Sequence, residues 1–119
     1  MNMHKLDDNN FLALHSFAKT IKNDLASGNK HIIIVNVNIK YTCPRFESEI
    51  NTQVIISLDS YPFASLKIID KDWLTSVSVY VEFLTGYNEF SFDEKHNILI
   101  IRCQNSPKLG PYTVEFKEL

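Results

Sequence analysis

Apolar and polar residues alternate in two different rhythms along this chain, and the change of rhythm divides it. From Asp8 to Lys30 the apolar positions are Phe11, Leu14, Ala18, Ile21 and Leu25, three or four residues apart, with Phe17 widening the stripe. That spacing predicts one long amphipathic helix. Asp7, Asp8 or Asn9 can cap its start, and Gly28 suits its C-terminal end. The opposite face (His15, Lys19, Lys22, Asn23, Ser27) is polar and expected in water.

After Lys30 the period becomes two. His31–Tyr41 alternates Ile33, Val35, Val37, Ile39 and Tyr41 with Ile34, Asn36, Asn38 and Lys40. Phe46–Leu58 sets Ile50, Thr52, Val54, Ile56 and Leu58 against Glu47, Glu49, Asn51, Gln53 and Ser57. Phe63–Ile69 sets Ala64, Leu66 and Ile68 against Ser65 and Lys67. Trp73–Leu84 reads as a long, β-branched strand, with Trp73, Val77 and Val79 inward and Ser76, Ser78, Tyr80 and Glu82 outward. Glu89–Phe92 and Asn97–Cys103 predict a hairpin around Asp93-Glu94-Lys95-His96, and Tyr112–Lys117 a final strand. Short connections force antiparallel neighbours. The prediction is an α+β fold: one N-terminal helix packed on a curved antiparallel β-meander of about six to seven strands. A small β-sandwich or barrel with the helix outside is the competing arrangement. The predicted shape resembles cystatin-like and related helix-grip folds, a likeness of architecture that implies no function.

At 119 residues, with three glycines and four prolines, the chain is expected to form a single domain, 1–119, without linkers. The start, MNMHKLDDNN, has no apolar secretory core, and His4 falls in a stretch expected to fray. The apolar runs Ile32–Val35 and Ile98–Ile101 are far too short to span a membrane. The expected location is therefore cytoplasmic.

Charge changes the picture more than composition does. Net charge is −2, but residues 46–119 hold eleven acids against six bases, whereas residues 1–45 hold three acids against six bases. The acidic, strand-rich part disfavours nucleic acid and favours a basic partner.

Candidate chemistry is sparse. His4, His15, His31 and His96 show no metal-pair spacing, so no metal and no cofactor is expected. Cys103 closes a buried-looking strand, and Cys43 sits in a turn-like YTCPR segment, where an exposed thiol is expected; a Cys–His pair there lacks a helix start to lower its pKa. Asp70 with Asp72 and Asp93 with Glu94 are paired carboxylates, but in turns, where acids are simply solvated. What remains is surface. The outward set Asn36, Asn38, Asn51, Gln53, Ser76, Ser78, Tyr80 and Glu82 is polar, and Ile34, Ile55, Phe63 and Ile69 share its parity. These residues either form an exposed binding face or lie under a second sheet layer.

The expected function is accordingly a non-enzymatic, protein-binding one. Its specific form is a bacterial immunity or antitoxin-type inhibitor that covers a basic, nuclease-like toxin. The expected contact residues are Asp70, Asp72, Tyr80, Glu82, Glu89, Asp93 and Glu94, rimmed by Tyr61 and Tyr87. The alternatives are a secretion or assembly chaperone-like module binding through the apolar outward residues, and a ligand-binding or enzymatic domain with a pocket between helix and sheet. Oligomeric state, including whether a free sheet edge pairs in a dimer, is left open by the sequence.

Overall fold

The structure, a computed structural model, describes residues 4–22, 25, 31–45, 47–69, 88–104 and 111–119. They form β1 (His4–Lys5), α1 (Asp8–Ile21), β2 (His31–Thr42), β3 (Glu47–Leu58), β4 (Phe63–Ile68), β5 (Asn88–Asp93), β6 (Ile98–Cys103) and β7 (Tyr112–Glu118). All strand pairs are antiparallel, in the order β1-β4-β3-β2-β7-β6-β5. The sheet curves into a half-barrel around α1, the α+β architecture that the two rhythms predict.

The curved meander runs in two parts. β2–β3–β4 and β5–β6–β7 are two three-stranded runs, joined where β7 pairs with β2. β4 and β5, consecutive among the described strands, therefore lie near opposite edges, and β2 is central. The predicted strand Trp73–Leu84 and its assigned core residue Trp73 lie outside the described residues.

Asp7 caps the helix, its carboxylate accepting from the Asn10 backbone N–H at 2.8 Å. The helix is shorter than its apolar stripe: Lys22 turns extended (φ −127°, ψ 97°) while its N–H still closes the last turn on Ala18. Leu25 keeps its place in the core from beyond the helix. Gly28 lies outside the described residues.

Phe11, Leu14, Phe17 and Ala18 are buried, and they meet the concave face of the sheet. That face takes every second residue: Ile33 to Tyr41 on β2, Val54 to Leu58 on β3, Ala64 to Ile68 on β4, and Tyr112 to Phe116 on β7. The β5–β6 hairpin turns at Asn97, whose φ of 54° is left-handed, a conformation asparagine tolerates; β6 therefore begins at Ile98. The terminal stretch expected to fray instead forms β1, pairing His4 with Ala64 and Lys5 with Phe63, while the Leu6 N–H donates to the Pro62 carbonyl.

Candidate partner-binding surface

The convex face of the sheet is graded from apolar to polar along β2 and β3. At one end Ile32 and Ile34 are 63% and 60% exposed, and Ile34 stands directly opposite half-buried Ile55. Phe63 (41%) and Ile69 (37%) are also exposed. Ser57 and Ser65 keep the outward parity and face each other across β3 and β4, yet both are buried; their short side chains add no surface.

Toward the other end the cross-strand pairs become Asn36 with Gln53, Asn38 with Asn51, and Lys40 with Glu49. The Asn38 amide donates at 2.9 Å to both Glu49 and Asn51. Lys40 Nζ lies 3.0 Å from Glu47 Oε1. That hydrogen bond and charge, helped by Glu115 and Glu49, raise the Lys40 ammonium above its ordinary pKa.

The acidic residues expected to bind a partner fall in several places. Glu89, on β5, is exposed and faces Arg102 across the β5–β6 pair. Asp93 and Glu94 sit at the tip of that hairpin. His96 holds the Asp93 carboxyl below its usual range: its ring Nδ1 is 2.8 Å from one oxygen and its backbone N–H donates to the other at 3.2 Å. Tyr61 is on the β3–β4 turn, by the other half of the sheet. Its hydroxyl donates to Asp8, and its ring meets Phe11 edge-on at 5.0 Å and 83°. Tyr61 thus fixes the start of the helix while staying 52% exposed. Asp70, Asp72, Tyr80, Glu82 and Tyr87 lie outside the described residues.

Two residues depart from their expected surroundings. Cys43 is half-buried against the core rather than exposed in a turn. The strand register also sets the spacing of the two thiols. Thr42 faces Thr113 and Cys103 faces Tyr112, so Cys43 and Cys103 flank Tyr112 from opposite sides. Two strand spacings are roughly 9–10 Å, beyond the ~7 Å limit for a disulfide, and both residues are thiols.

His15, expected in water, is half-buried and stacked on Phe11 one turn earlier, with ring centroids 6.0 Å apart. Burial first, then the charges of Lys19 and His31, lowers its pKa below 6.5. The unfolded chain therefore binds the His15 proton more readily than the native one. Stability from this group is fully present above about pH 6.5 and is lost as pH falls from there through the native value. Urea midpoints measured at pH 7.5 and at mildly acidic pH should fall more for the wild type than for His15→Gln. Equal falls would show that His15 titrates as it does in the unfolded chain.

A shallow depression of about 280 Å³ is lined by Asn36, Asn51, Gln53, Ile69 and Leu119. Another, of about 420 Å³, lies at the strand ends between Thr42, Cys43, Arg102 and Tyr112. Neither is lined by α1. Among the described residues no three metal-ligating side chains converge, and no helix is long and apolar enough to cross a membrane.

Sequence reasoning missed Asn10 and the exposure of Ile32. The signal for Ile32 was present, since it shares parity with Ile34. For Asn10, a polar residue one position before the apolar stripe, there was none. Set against known protein families, characterised proteins and solved structures, the chain matches none.

Proposed function

We propose that this protein is a non-enzymatic, cytoplasmic protein-binding domain of the bacterial immunity or antitoxin kind, which neutralises a basic, nuclease-like toxin through acidic sheet and turn residues. The observation that carries this reading is where the acidic excess sits. From residue 47 onward the described acids are Glu47, Glu49, Asp59, Glu89, Asp93, Glu94, Glu115 and Glu118, and every one is exposed or half-buried. Lys67, Lys95, Arg102 and Lys117 oppose them, which leaves −4 at the surface. Among the described residues, ion pairs within 4 Å engage only Glu47, with Lys40, and Asp93, with His96. The remaining carboxylates are available to a basic surface, and His96 keeps Asp93 charged to lower pH. Such complementarity acts mainly on association rate and selectivity.

The test is binding to, and inhibition of, the product of the gene immediately upstream. Reversing Glu89, Asp93 and Glu94 to lysine together should slow association by about tenfold or more at low salt, with native circular dichroism retained. Raising salt to physiological strength should slow the wild type by a smaller factor in the same direction. Association indifferent to salt would sink the acidic reading.

One observation favours a second reading. Ile32 and Ile34, 63% and 60% exposed side by side on a central strand, suit a chaperone-like module that docks apolar segments. Its binding would be insensitive to salt and abolished by Ile34→Lys.

A further inference from the structure

On the convex face the strand register builds one apolar patch out of three strands. Ile34 stands opposite Ile55, and Ile55 stands opposite Lys67, so the three form a row across β2, β3 and β4. Ile32 flanks the row on β2, and Ile69 follows Lys67 on the same face. Phe63, also on that face, precedes Lys67 by four residues and pairs with Lys5 of β1. Ile32, Ile34, Phe63 and Ile69 are all exposed. Single exposed apolar side chains are ordinary, but neighbours in register across several strands form a surface that a partner can cover.

The charges set into this patch have one sign. Lys5 and Lys67 are exposed, and neither makes an ion pair within 4 Å among the described residues. Along β3 the nearest outward carboxylate on one side is Glu49, six residues from Ile55. At 3.3 Å per residue that is roughly 20 Å, more than twice the ~8 Å Debye length at physiological salt. On the other side Asp59 closes the patch at the β3–β4 turn, where its carboxylate accepts from the Ser60 backbone N–H at 2.8 Å. The far half of the face carries Glu47, Glu49 and Glu115 against Lys40 and Lys117. The two halves therefore differ in charge as well as in polarity.

We propose that this patch docks an apolar peptide segment flanked by carboxylates, with Ile34 and Ile55 under its apolar side chains and Lys67 and Lys5 meeting its acids. The inference rests on the docking reading of Ile32 and Ile34 and names what is docked. Apolar burial holds the segment, and the lysines select it. Phe63, beside Lys5, and Lys67 are roughly 13 Å apart along β4. The two ammonium groups therefore suit acids at either end of an extended apolar stretch of about four residues. Each contact is an exposed ion pair, so the two together discriminate by several-fold, not by orders of magnitude. An anionic lipid surface would meet the same lysines, but it would also meet the acids that leave −4 at the surface from residue 47 onward, and these repel it. A short segment reaches Lys5 and Lys67 without approaching the acids of the β5–β6 hairpin.

Fluorescence anisotropy on the whole chain tests it with two labelled peptides that share one isoleucine- and valine-rich core, flanked by glutamates in one and by glutamines in the other. At low salt the wild type should bind the glutamate peptide about fivefold more tightly. The chain as a whole carries −2, so such a preference reports the local lysines and not the net charge. Raising salt should erase the preference and leave the affinity for the glutamine peptide unchanged. Lys5→Glu with Lys67→Glu, both at exposed positions, should keep native circular dichroism and invert the preference. Ile34→Asn should weaken both peptides alike. Equal affinity of the wild type for the two peptides would overturn the inference and leave apolar docking standing, whereas binding of neither would overturn both. A preference that survives in the double lysine variant would place the selection on another surface and overturn the inference. So would binding to phosphatidylserine vesicles but to neither peptide.

Discussion

Phe17→Asp is expected to leave the chain without a folded state at 25 °C. Phe17 is wholly inaccessible, lies on α1 between buried Leu14 and Ala18, and tilts against Phe92 of β5 with ring centroids 6.3 Å apart. Truncating a buried phenylalanine costs about 3–5 kcal/mol. An unpaired carboxylate in the same site costs several more, whether it stays charged or takes up a proton. Domains of this kind are stable by about 5–15 kcal/mol in total, so the sum consumes most or all of it. Far-UV circular dichroism and amide dispersion by NMR would show the loss directly. Lys19→Glu, two residues on and exposed, should shift stability by less than about 0.5 kcal/mol. Leu12→Asp is a sharper control. Leu12 is as apolar as its buried neighbours but 56% exposed, because it falls off the stripe; a folded Leu12→Asp beside an unfolded Phe17→Asp would establish which face of the helix docks. A folded Phe17→Asp would mean that the helix is not what fills the half-barrel.

Much of this architecture was legible because burial on one face has a period. The alternation over Ile33, Val35, Val37, Ile39 and Tyr41 gives the buried face of β2 without exception. Register follows from it, since slipping β3 by one residue would turn Val54, Ile56 and Leu58 out to water. The limits are equally physical. Periodicity carries no information about which strand lies beside which, so the pairing of β2 with β7 could not be read from it. Nor does it mark where a helix stops: Ile21 and Leu25 continue the stripe, but the backbone turns extended at Lys22 while Leu25 stays buried. The two residues of β1 are too few to show any period.

Function was less legible than fold, because the two candidate surfaces left different traces. Exposed acids such as Glu89 and Glu94 show up in a charge count whatever the fold. The exposure of the two isoleucines shows up only in the folded chain. Ile32 and Ile34 look like ordinary members of the apolar run Ile32–Val35, and parity alone would let a second layer cover them. Their exposure, 63% and 60%, separates a surface from a core. The two surfaces are also chemically distinct, so salt should weaken binding at the acidic one and leave apolar docking at the other nearly unchanged.

Asn10→Ala is expected to cost roughly 2–4 kcal/mol. Asn10 is 6% exposed in the first turn of α1. Its amide donates to the Asn88 carbonyl at 3.0 Å and accepts from the Phe90 N–H at 2.9 Å. A donor and an acceptor placed on residues i and i+2 of an edge strand reproduce what one residue of a parallel neighbour would supply. The helix thereby ends the sheet at β5 as a strand would. Asn88 is itself buried and accepts from the Tyr112 hydroxyl of β7 at 2.9 Å, so the contact runs on into the core. Alanine removes both partners and leaves two buried backbone groups bare, each at about 1–3 kcal/mol when water cannot reach it. Asn10→Asp should do no better, because a carboxylate keeps the acceptor, loses the donor and buries a charge. The expected fall in thermal midpoint for the alanine variant is about 10 °C. Amide exchange gives the finer reading: the Phe90 N–H should lose protection while those of Glu89 and Ser91, which face β6, keep theirs. Uniform loss along β5 would mean that the whole hairpin had come away, and an unchanged Phe90 would mean that Asn10 does not hold this edge in solution.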